Sequence, residues 1–297
     1  LTGVGPNMVP RVYDQYRPEY AVNQTNPHLH NVPLQIAAER GIPALLIVIR
    51  HTSTYWGFEL FRSYLAVDLF FILSGFVIGY AYDHKLVSGA LTKLQFVGLR
   101  LLRFYPVYLL SIVLALVNVL VGCESVHAHN SETATTAVRS TLLSLFFLPS
   151  QAFDKEALFP INGPIWSLFF ELIVNFVYCL VAGMLSTLAI TVILVVSFLG
   201  LTISAMHHGN LDVGFLWDLP SLLAGASRST FGIFLGILLF RKRTAISRLL
   251  MKLPFSGAPM TAISIAAVTL ILVSPKTTFD AAIDIVCVAL VFPVLVM

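Results

Sequence analysis

The stretch Arg40-Gly-Ile-Pro-Ala-Leu-Leu-Ile-Val-Ile-Arg-His51 determines how the rest of the chain is interpreted. It is an apolar run with a cation at each end, followed directly by a histidine. On a helix that rises about 1.5 Å per residue, Arg40 and His51 are separated by roughly 16 Å, about half the thickness of a bilayer core. Eleven residues make close to three turns, so the two side chains fall on nearly the same face.

Ionisable groups inside a membrane are costly, and they call for a function or a partner. On this interpretation Arg40 places a fixed positive charge at one membrane boundary, and His51 places a titratable imidazole deep inside. The alternative is structural: Arg40 snorkels at the foot of the helix, and His51 caps its other end. The spacing alone leaves both open.

The composition indicates a membrane protein. Of the 297 residues, 57% are hydrophobic and only 11% are charged, whereas a soluble domain has roughly 25% charged residues. The net charge of +3 is small, and the basic residues cluster beside apolar runs. That pattern fits the positive-inside rule and argues against nucleic-acid binding. The three cysteines, Cys123, Cys179 and Cys287, are scattered, so we expect neither a disulfide framework nor a structural metal.

The apolar runs predict an all-α, polytopic transmembrane bundle with about eight full spans. Residues 1–33 form a polar N-terminal segment, and 34–297 form the membrane domain. We expect the chain to be truncated, at the C-terminus above all. Loops are predicted at 122–139 and around the basic residues after Phe240. The predicted spans are 34–49, 64–82, a third that follows Arg100 and Arg103 and ends near Val121, 165–185, 187–206, 222–240, 259–273 and 279 onward.

Two basic regions, after the second predicted span and after Phe240, are both expected on the cytoplasmic side. An even number of crossings must separate them, and four predicted spans do so. The apolar segment Thr141–Leu148 is therefore expected to be short, tilted or re-entrant. Small residues in the second and sixth spans predict close helix contacts: Ser74, Gly75, Gly79, Gly225, Gly232 and Gly236.

Four charged residues in the predicted spans or directly before one of them are candidate site residues. Asp68 is expected to pair with a cation or with His51, unless it is an interfacial acid favoured by the helix dipole. Glu171 needs a partner on another helix, either His51 or an arginine, unless it is protonated and only hydrogen-bonded. Arg100 and Arg103 share one helical face and suit a bidentate grip on phosphate. The alternative for this pair is ordinary positive-inside anchoring.

Four sequence blocks follow one another along the chain and begin at Arg40, Tyr64, Arg100 and Trp166. In this order they resemble the acyltransferase 3 family of integral membrane O-acyltransferases, which act mainly on sugars of lipopolysaccharide, exopolysaccharide, peptidoglycan and Nod factors. Arg228-Ser-Thr-Phe-Gly-Ile-Phe-Leu-Gly236 is similar to a later block of that family. The similarity covers roughly residues 36 to 240, and four ordered blocks are far more specific than any one of them.

The resemblance implies that Arg40 and His51 are the family's essential basic residue and histidine. It implies that Arg100 and Arg103 are its paired arginines, and that Glu171 belongs to its Trp-Ser-Leu…Glu block. It further implies an acyl-CoA donor, acetyl-CoA above all, and a carbohydrate acceptor that can be lipid-linked. The implied location is the bacterial inner membrane, among membrane lipids, with the family's final helices missing from this chain.

The mechanism expected from these residues is acyl transfer to a sugar hydroxyl. His51 is best suited to take the hydroxyl proton, because an imidazole titrates near neutral pH, or it carries the acyl group transiently. Glu171 or Asp68 orients the ring, and Arg40 with the paired arginines binds CoA phosphates or stabilises the oxyanion.

Two other classes of protein remain as alternatives. A transporter or flippase for a sugar-lipid or a small anion would line its pathway with the same ionisable residues. The chain shows no internal repeat of its helical blocks, which argues against that class. A structural membrane subunit would leave the ordered charged blocks unexplained.

Overall fold

The computed structural model describes residues 61–121, 131–151, 156–250 and 258–296. This part of the chain is helical, without strands and with one isolated bridge between Ala157 and Leu216. The predicted all-α class is confirmed for these residues. The first predicted span, with Arg40 and His51, lies outside the described residues.

Five helical stretches of the described residues are long and apolar enough to cross a membrane: Leu65–Val87, Lys93–Val117, Ile165–Met184, Thr187–His208 and Leu219–Ile246. They correspond to the second to sixth predicted spans, while the total of eight stays a prediction. The helices are α1 (Leu65–Ile78), continued by a π-helical turn (Gly79–Asp83) into α2 (His84–Val87), then α3 (Lys93–Val121), α4 (Ser131–Leu145), α5 (Ile165–Val181), α6 (Thr187–His208), α7 (Leu219–Leu250), α8 (Ala258–Val273), α9 (Asp280–Val286) and, after a second π-helical turn (Cys287–Val291), α10 (Phe292–Val296).

Local capping signals set two of the helix ends. At the start of α3 the Gln95 backbone N–H donates to Oγ1 of Thr92 at 3.2 Å, and the Thr92 N–H donates to Oε1 of Gln95 at 3.0 Å. This reciprocal arrangement is a capping box. It starts α3 seven residues before Arg100, which therefore lies inside the helix and not at its start. α6 ends at Gly209, whose φ of +80° is the left-handed conformation that glycine favours.

Two of the predicted loops are partly wrong. Residues 131–139 are polar but contain neither glycine nor proline, and they form the first part of α4. The basic residues after Phe240 continue α7 as far as Leu250, because no glycine or proline interrupts that stretch. α4, with 15 residues, is shorter than the roughly 20 that cross a bilayer. It is not among the candidate spans of the described residues, in agreement with the prediction for Thr141–Leu148.

The chain divides into two compact units, and the smaller includes residues up to Phe70 and Thr244–Asp280. In this unit Arg62 is buried, and its Nη2 lies 2.5 Å from Oδ1 of Asp280. The same nitrogen donates to the carbonyl of Pro275 at 3.2 Å. These contacts fix the residues before α1 to the segment that joins α8 to α9.

In the larger unit, Phe71–Arg243 with the residues after Asp280, glycines bring α1 and α7 into backbone contact. A Cβ built on Gly75 would lie 2.0 Å from the carbonyl oxygen of Ile233, and one on Gly236 would lie 2.1 Å from that of Ile72. A Cβ on three further glycines would lie 2.4–2.9 Å from a phenylalanine side chain. The predicted close packing is thus confirmed for Gly75, Gly79, Gly225, Gly232 and Gly236.

Several helix ends meet on one side of the larger unit, which we call its basic end. Arg241 forms a two-pronged ion pair with Asp83, with Nε–Oδ2 at 2.9 Å and Nη2–Oδ1 at 2.7 Å. Tyr178 donates its hydroxyl to the same carboxylate at 2.6 Å, and Lys93 donates to the carbonyl of Leu180 at 2.9 Å. The two basic regions therefore share one side, as the topology argument expects. That this side is cytoplasmic stays a prediction.

Candidate active site

A buried ion pair joins α3 to α5. Nη2 of Arg100 lies 2.7 Å from Oε1 of Glu171, and the two side chains are 2% and 0% exposed. Ser74 of α1 donates its hydroxyl to the same carboxylate oxygen and accepts a hydrogen bond from Arg100 at 3.0 Å. Three helices thus converge on one polar cluster, which we call the Arg100 cluster: Ser74, Arg100 and Glu171.

The Arg100 cluster lies well inside the spanning helices. Arg100 lies seven residues from the start of α3 and Glu171 lies ten residues from the end of α5, both counted from the basic end, which is about 10–15 Å along a helix axis. The guanidinium carbon of Arg100 lies 4.8 Å from the centroid of the Phe104 ring, in a cation–π contact. Because neighbouring Gly75 allows α1 to approach α7 closely, the sequence around Ser74 also fixes its position in the bundle.

Several polar atoms of this region have no hydrogen-bond partner among the described residues. They are Nε and Nη1 of Arg100, Oε2 of Glu171 and both polar atoms of Asn175. Asn175 lies one turn along α5 from Glu171, beside its carboxylate. Leaving a buried polar group without a partner costs about 1–3 kcal/mol. The region therefore has donors left for a further group.

This arrangement suits the stabilisation of negative charge on an oxygen. The carboxylate and the phenyl ring hold the guanidinium in place, and two of its nitrogens are left to donate. Donors fixed in advance, in surroundings of low dielectric constant, stabilise developing charge much more strongly than donors in water.

The predicted site residues are found in different surroundings. Of the two partners predicted for Glu171, the structure shows an arginine. Arg100 is buried, whereas Arg103, three residues later, is exposed. Asp68 is buried on α1, in the smaller unit. His51 lies outside the described residues, so the predicted pairing of Asp68 with His51 stays a prediction.

Sequence reasoning assigned no chemistry to Ser74 or Asn175. Ser74 was predicted only as a small residue for helix packing, and Asn175 was not singled out. The available signal was a polar side chain in each of two largely apolar spans, and Asn175 also stands one helical turn after Glu171. Polar residues in spans tend to face a partner inside the bundle, which would have placed both residues towards other helices.

Two distant blocks meet at the start of α5, away from the basic end. The guanidinium carbon of Arg228 lies 5.1 Å from the ring centroid of Trp166, and Nη1 of Arg228 donates to the carbonyl of Val213 at 2.6 Å. Gly214, with a φ of +113°, allows the backbone to pass against the indole ring. These contacts fix the first turn of α5 and so help to position Glu171, which follows five residues later.

Comparison with known proteins gives a family and two relatives. A family model described as an acyltransferase domain matches residues 36–297. The chain is 40% identical over 149 residues to "Protein 2 in picA locus" of Rhizobium radiobacter. The aligned region covers 47% of this chain and 76% of that protein. The chain is also 28% identical over 135 residues to "Exopolysaccharide production protein ExoZ" of Rhizobium meliloti (strain 1021). In this case the aligned region covers 46% of this chain and 38% of that protein. No solved structure matches the chain significantly.

Proposed function

This chain belongs to the acyltransferase 3 family, and from that premise we propose that it transfers an acyl group from acyl-CoA to a hydroxyl of an exopolysaccharide or its lipid-linked precursor. Acetyl-CoA is the simplest donor. The family match and the exopolysaccharide relative support a carbohydrate acceptor. The structural observation that carries the proposal is the Arg100 cluster, a polar site built inside spanning helices. We place the protein in the bacterial inner membrane, with about eight spans.

In the proposed reaction the acceptor hydroxyl attacks the thioester carbonyl carbon. The new C–O bond forms, the C–S bond breaks, and the proton passes through His51 to the departing CoA sulfur. Arg100 donates to the carbonyl oxygen as negative charge develops there. Glu171 is a positioning residue in this scheme, since it holds the guanidinium.

The remaining charged residues are assigned by their surroundings. A CoA phosphate is a strongly hydrated anion, so exposed Arg103 suits it better than buried, paired Arg100. Arg40 is proposed as a second phosphate contact. Asp68, the other buried carboxylate among the candidate residues, is proposed to orient His51, while Glu171 holds Arg100.

Replacing His51 with alanine is expected to lower transfer by at least about a hundredfold, the usual contribution of a general base. The measurement uses the whole chain in proteoliposomes, with radiolabelled acetyl-CoA and a de-O-acylated exopolysaccharide. His207→Ala, at an exposed position on the last turn of α6, is the matched control and should transfer normally.

Three results are informative in this assay. Label on the polysaccharide with the wild type and with His207→Ala, but not with His51→Ala, supports the proposal. Near-normal transfer by His51→Ala would show that His51 is not the base. Movement of a lipid-linked sugar across the vesicle membrane, with its hydroxyls unmodified, would instead indicate a transporter.

A further inference from the structure

An apolar cavity of about 340 Å³ borders the Arg100 cluster. It lies in the larger unit, between α3, α5 and the residues that follow α4. Ten of its twelve lining residues are apolar, and the two polar ones are Arg100 and Asn175. Both are 2% exposed, and both have buried polar atoms without a hydrogen-bond partner among the described residues. The cavity therefore combines an apolar wall with a polar end, where Arg100 and Asn175 both lie beside Glu171.

The rim of this cavity is apolar. Phe146 and Phe176, which line it, are 73% and 52% exposed, and Ile173 is 42% exposed. Exposed apolar residues on a spanning helix such as α5 face hydrocarbon in a membrane. A ligand that enters past this rim must be compatible with hydrocarbon, which favours an aliphatic chain over a soluble, polar molecule.

The polar end favours an uncharged acceptor over a phosphate. The charge of Arg100 is already balanced by Glu171 at 2.7 Å, so the pair carries no net charge for a dianion to neutralise. Nε and Nη1 of Arg100 and the amide of Asn175 still have hydrogen-bonding capacity. A carbonyl oxygen accepts such bonds without bringing a further charge into a buried site.

An unusual backbone conformation supports one wall of the cavity. Phe147 has a φ of +56°, a value that bulky residues rarely adopt. Phe147 is the second residue after α4, a position at which this conformation normally belongs to glycine. Here the Phe147 ring stacks on Tyr108, with centroids 4.0 Å apart and planes 14° apart. The chain thus keeps an aromatic ring in the cavity wall at a cost in backbone strain, as binding sites often do.

The cavity is much larger than an acetyl group alone would fill. One water needs roughly 10–15 Å³ of the same kind of volume, so the cavity has room for more than about twenty waters. An acetyl group has only three heavy atoms and would leave most of this space empty. A chain of several methylene groups fills it and covers its aromatic walls.

We propose that this cavity binds a fatty acyl chain, with the carbonyl oxygen of the chain at Arg100 and Asn175. The chain comes either from the transferred acyl group or from a lipid of the bilayer. That the bound chain is the transferred acyl group rests on the proposed function. That the cavity binds an acyl chain at all does not rest on it.

The first experiment tests the site without using activity. The whole chain, in lipid nanodiscs, is photolabelled with the methyl ester of a diazirine-bearing fatty acid, and the labelled peptides are identified by mass spectrometry. Leu101→Phe places a larger side chain in the cavity wall. Leu102→Phe, the same change at a neighbouring residue that is 73% exposed and outside the lining, is its control.

We expect labelling of peptides that contain the lining residues of α3 and α5. Labelling should fall about tenfold in Leu101→Phe and stay unchanged in Leu102→Phe. If Leu101→Phe does not elute as a monodisperse protein, Val97→Phe fills the same wall from the preceding turn. Equal labelling of the wild type and the filled variants, or labelling confined to other peptides, would overturn the proposal.

The second experiment separates the two sources of the chain. Transfer is measured with acyl-CoA donors from acetyl to octanoyl, for the wild type and the same variants. A selective loss of the longer donors in Leu101→Phe identifies the occupant as the transferred acyl group. An unchanged donor profile together with lost labelling identifies a bilayer lipid. Absence of transfer from every donor in the wild type would contradict the proposed function, while the labelling still decides whether the cavity binds a chain.

Discussion

Arg100→Met is expected to destabilise the protein by about 3–5 kcal/mol, because Glu171 would be left as a buried charge without its partner. Glu171→Leu should have an effect of similar size, since it leaves the guanidinium unpaired. The double variant should recover most of the lost stability, because replacing a whole buried ion pair with apolar residues is often neutral. Thermal unfolding in detergent, followed by size-exclusion chromatography, measures all three.

Acyl transfer distinguishes a structural role of this ion pair from a catalytic one. The double variant Arg100→Met/Glu171→Leu should be folded but inactive, since it lacks the donors proposed for the carbonyl oxygen. Normal transfer by this variant would show that the pair only holds α3 to α5. A double variant no more stable than either single variant would contradict the close pairing at 2.7 Å.

Gly75→Ala and Gly236→Ala are expected to destabilise the protein at the upper end of the ~1–3 kcal/mol typical of overpacking. In each case the new methyl group would lie 2.0–2.1 Å from a backbone carbonyl oxygen, which cannot rotate away as a side chain does. α1 and α7 would have to separate, and Ser74, the neighbour of Gly75, would move with α1.

Gly98→Ala is the matched control for these two substitutions. Gly98 is also a helical glycine, on α3, and a Cβ there would meet no atom of the described residues within 4 Å. The change should raise stability by about 0.5–1 kcal/mol, through the lower backbone entropy of alanine in the unfolded chain. Equal midpoints of thermal unfolding for Gly75→Ala and Gly98→Ala would contradict the close contact of α1 with α7.

The sequence predicted the parts of the fold that depend on composition and short spacings. The apolar runs predicted five of the spans that the structure describes, and the glycines predicted where helices approach closely. Helix ends were less well predicted. The prediction placed Arg100 and Arg103 before the third span because it followed the basic residues and did not use the Thr92–Gln95 capping box. The polar start of α4 reads as a loop in the sequence because it lacks a clear apolar face.

The sequence predicted which types of residue form the candidate site, but not which of those residues pair with each other. A carboxylate in an apolar span requires a partner, and an arginine was one of the two expected for Glu171. The choice of Arg100 rather than Arg103 depends on how α3 is rotated against α5, 71 residues away. Single-sequence periodicity does not fix that rotation. Ser74 joins the cluster for the same reason, since its contact with Glu171 depends on the packing of three helices.

The most direct test of the central claim, that the Arg100 cluster serves acyl transfer to a carbohydrate, is mass spectrometry of surface polysaccharide. Cells with the wild-type chain, with Arg100→Lys and without the gene are compared. We expect acyl esters, removable by mild base, only with the wild type. Lysine keeps the charge but not the forked guanidinium, so Arg100→Lys should lower the ester content by at least about a hundredfold. The same ester content in Arg100→Lys cells, or none in wild-type cells, would contradict the claim.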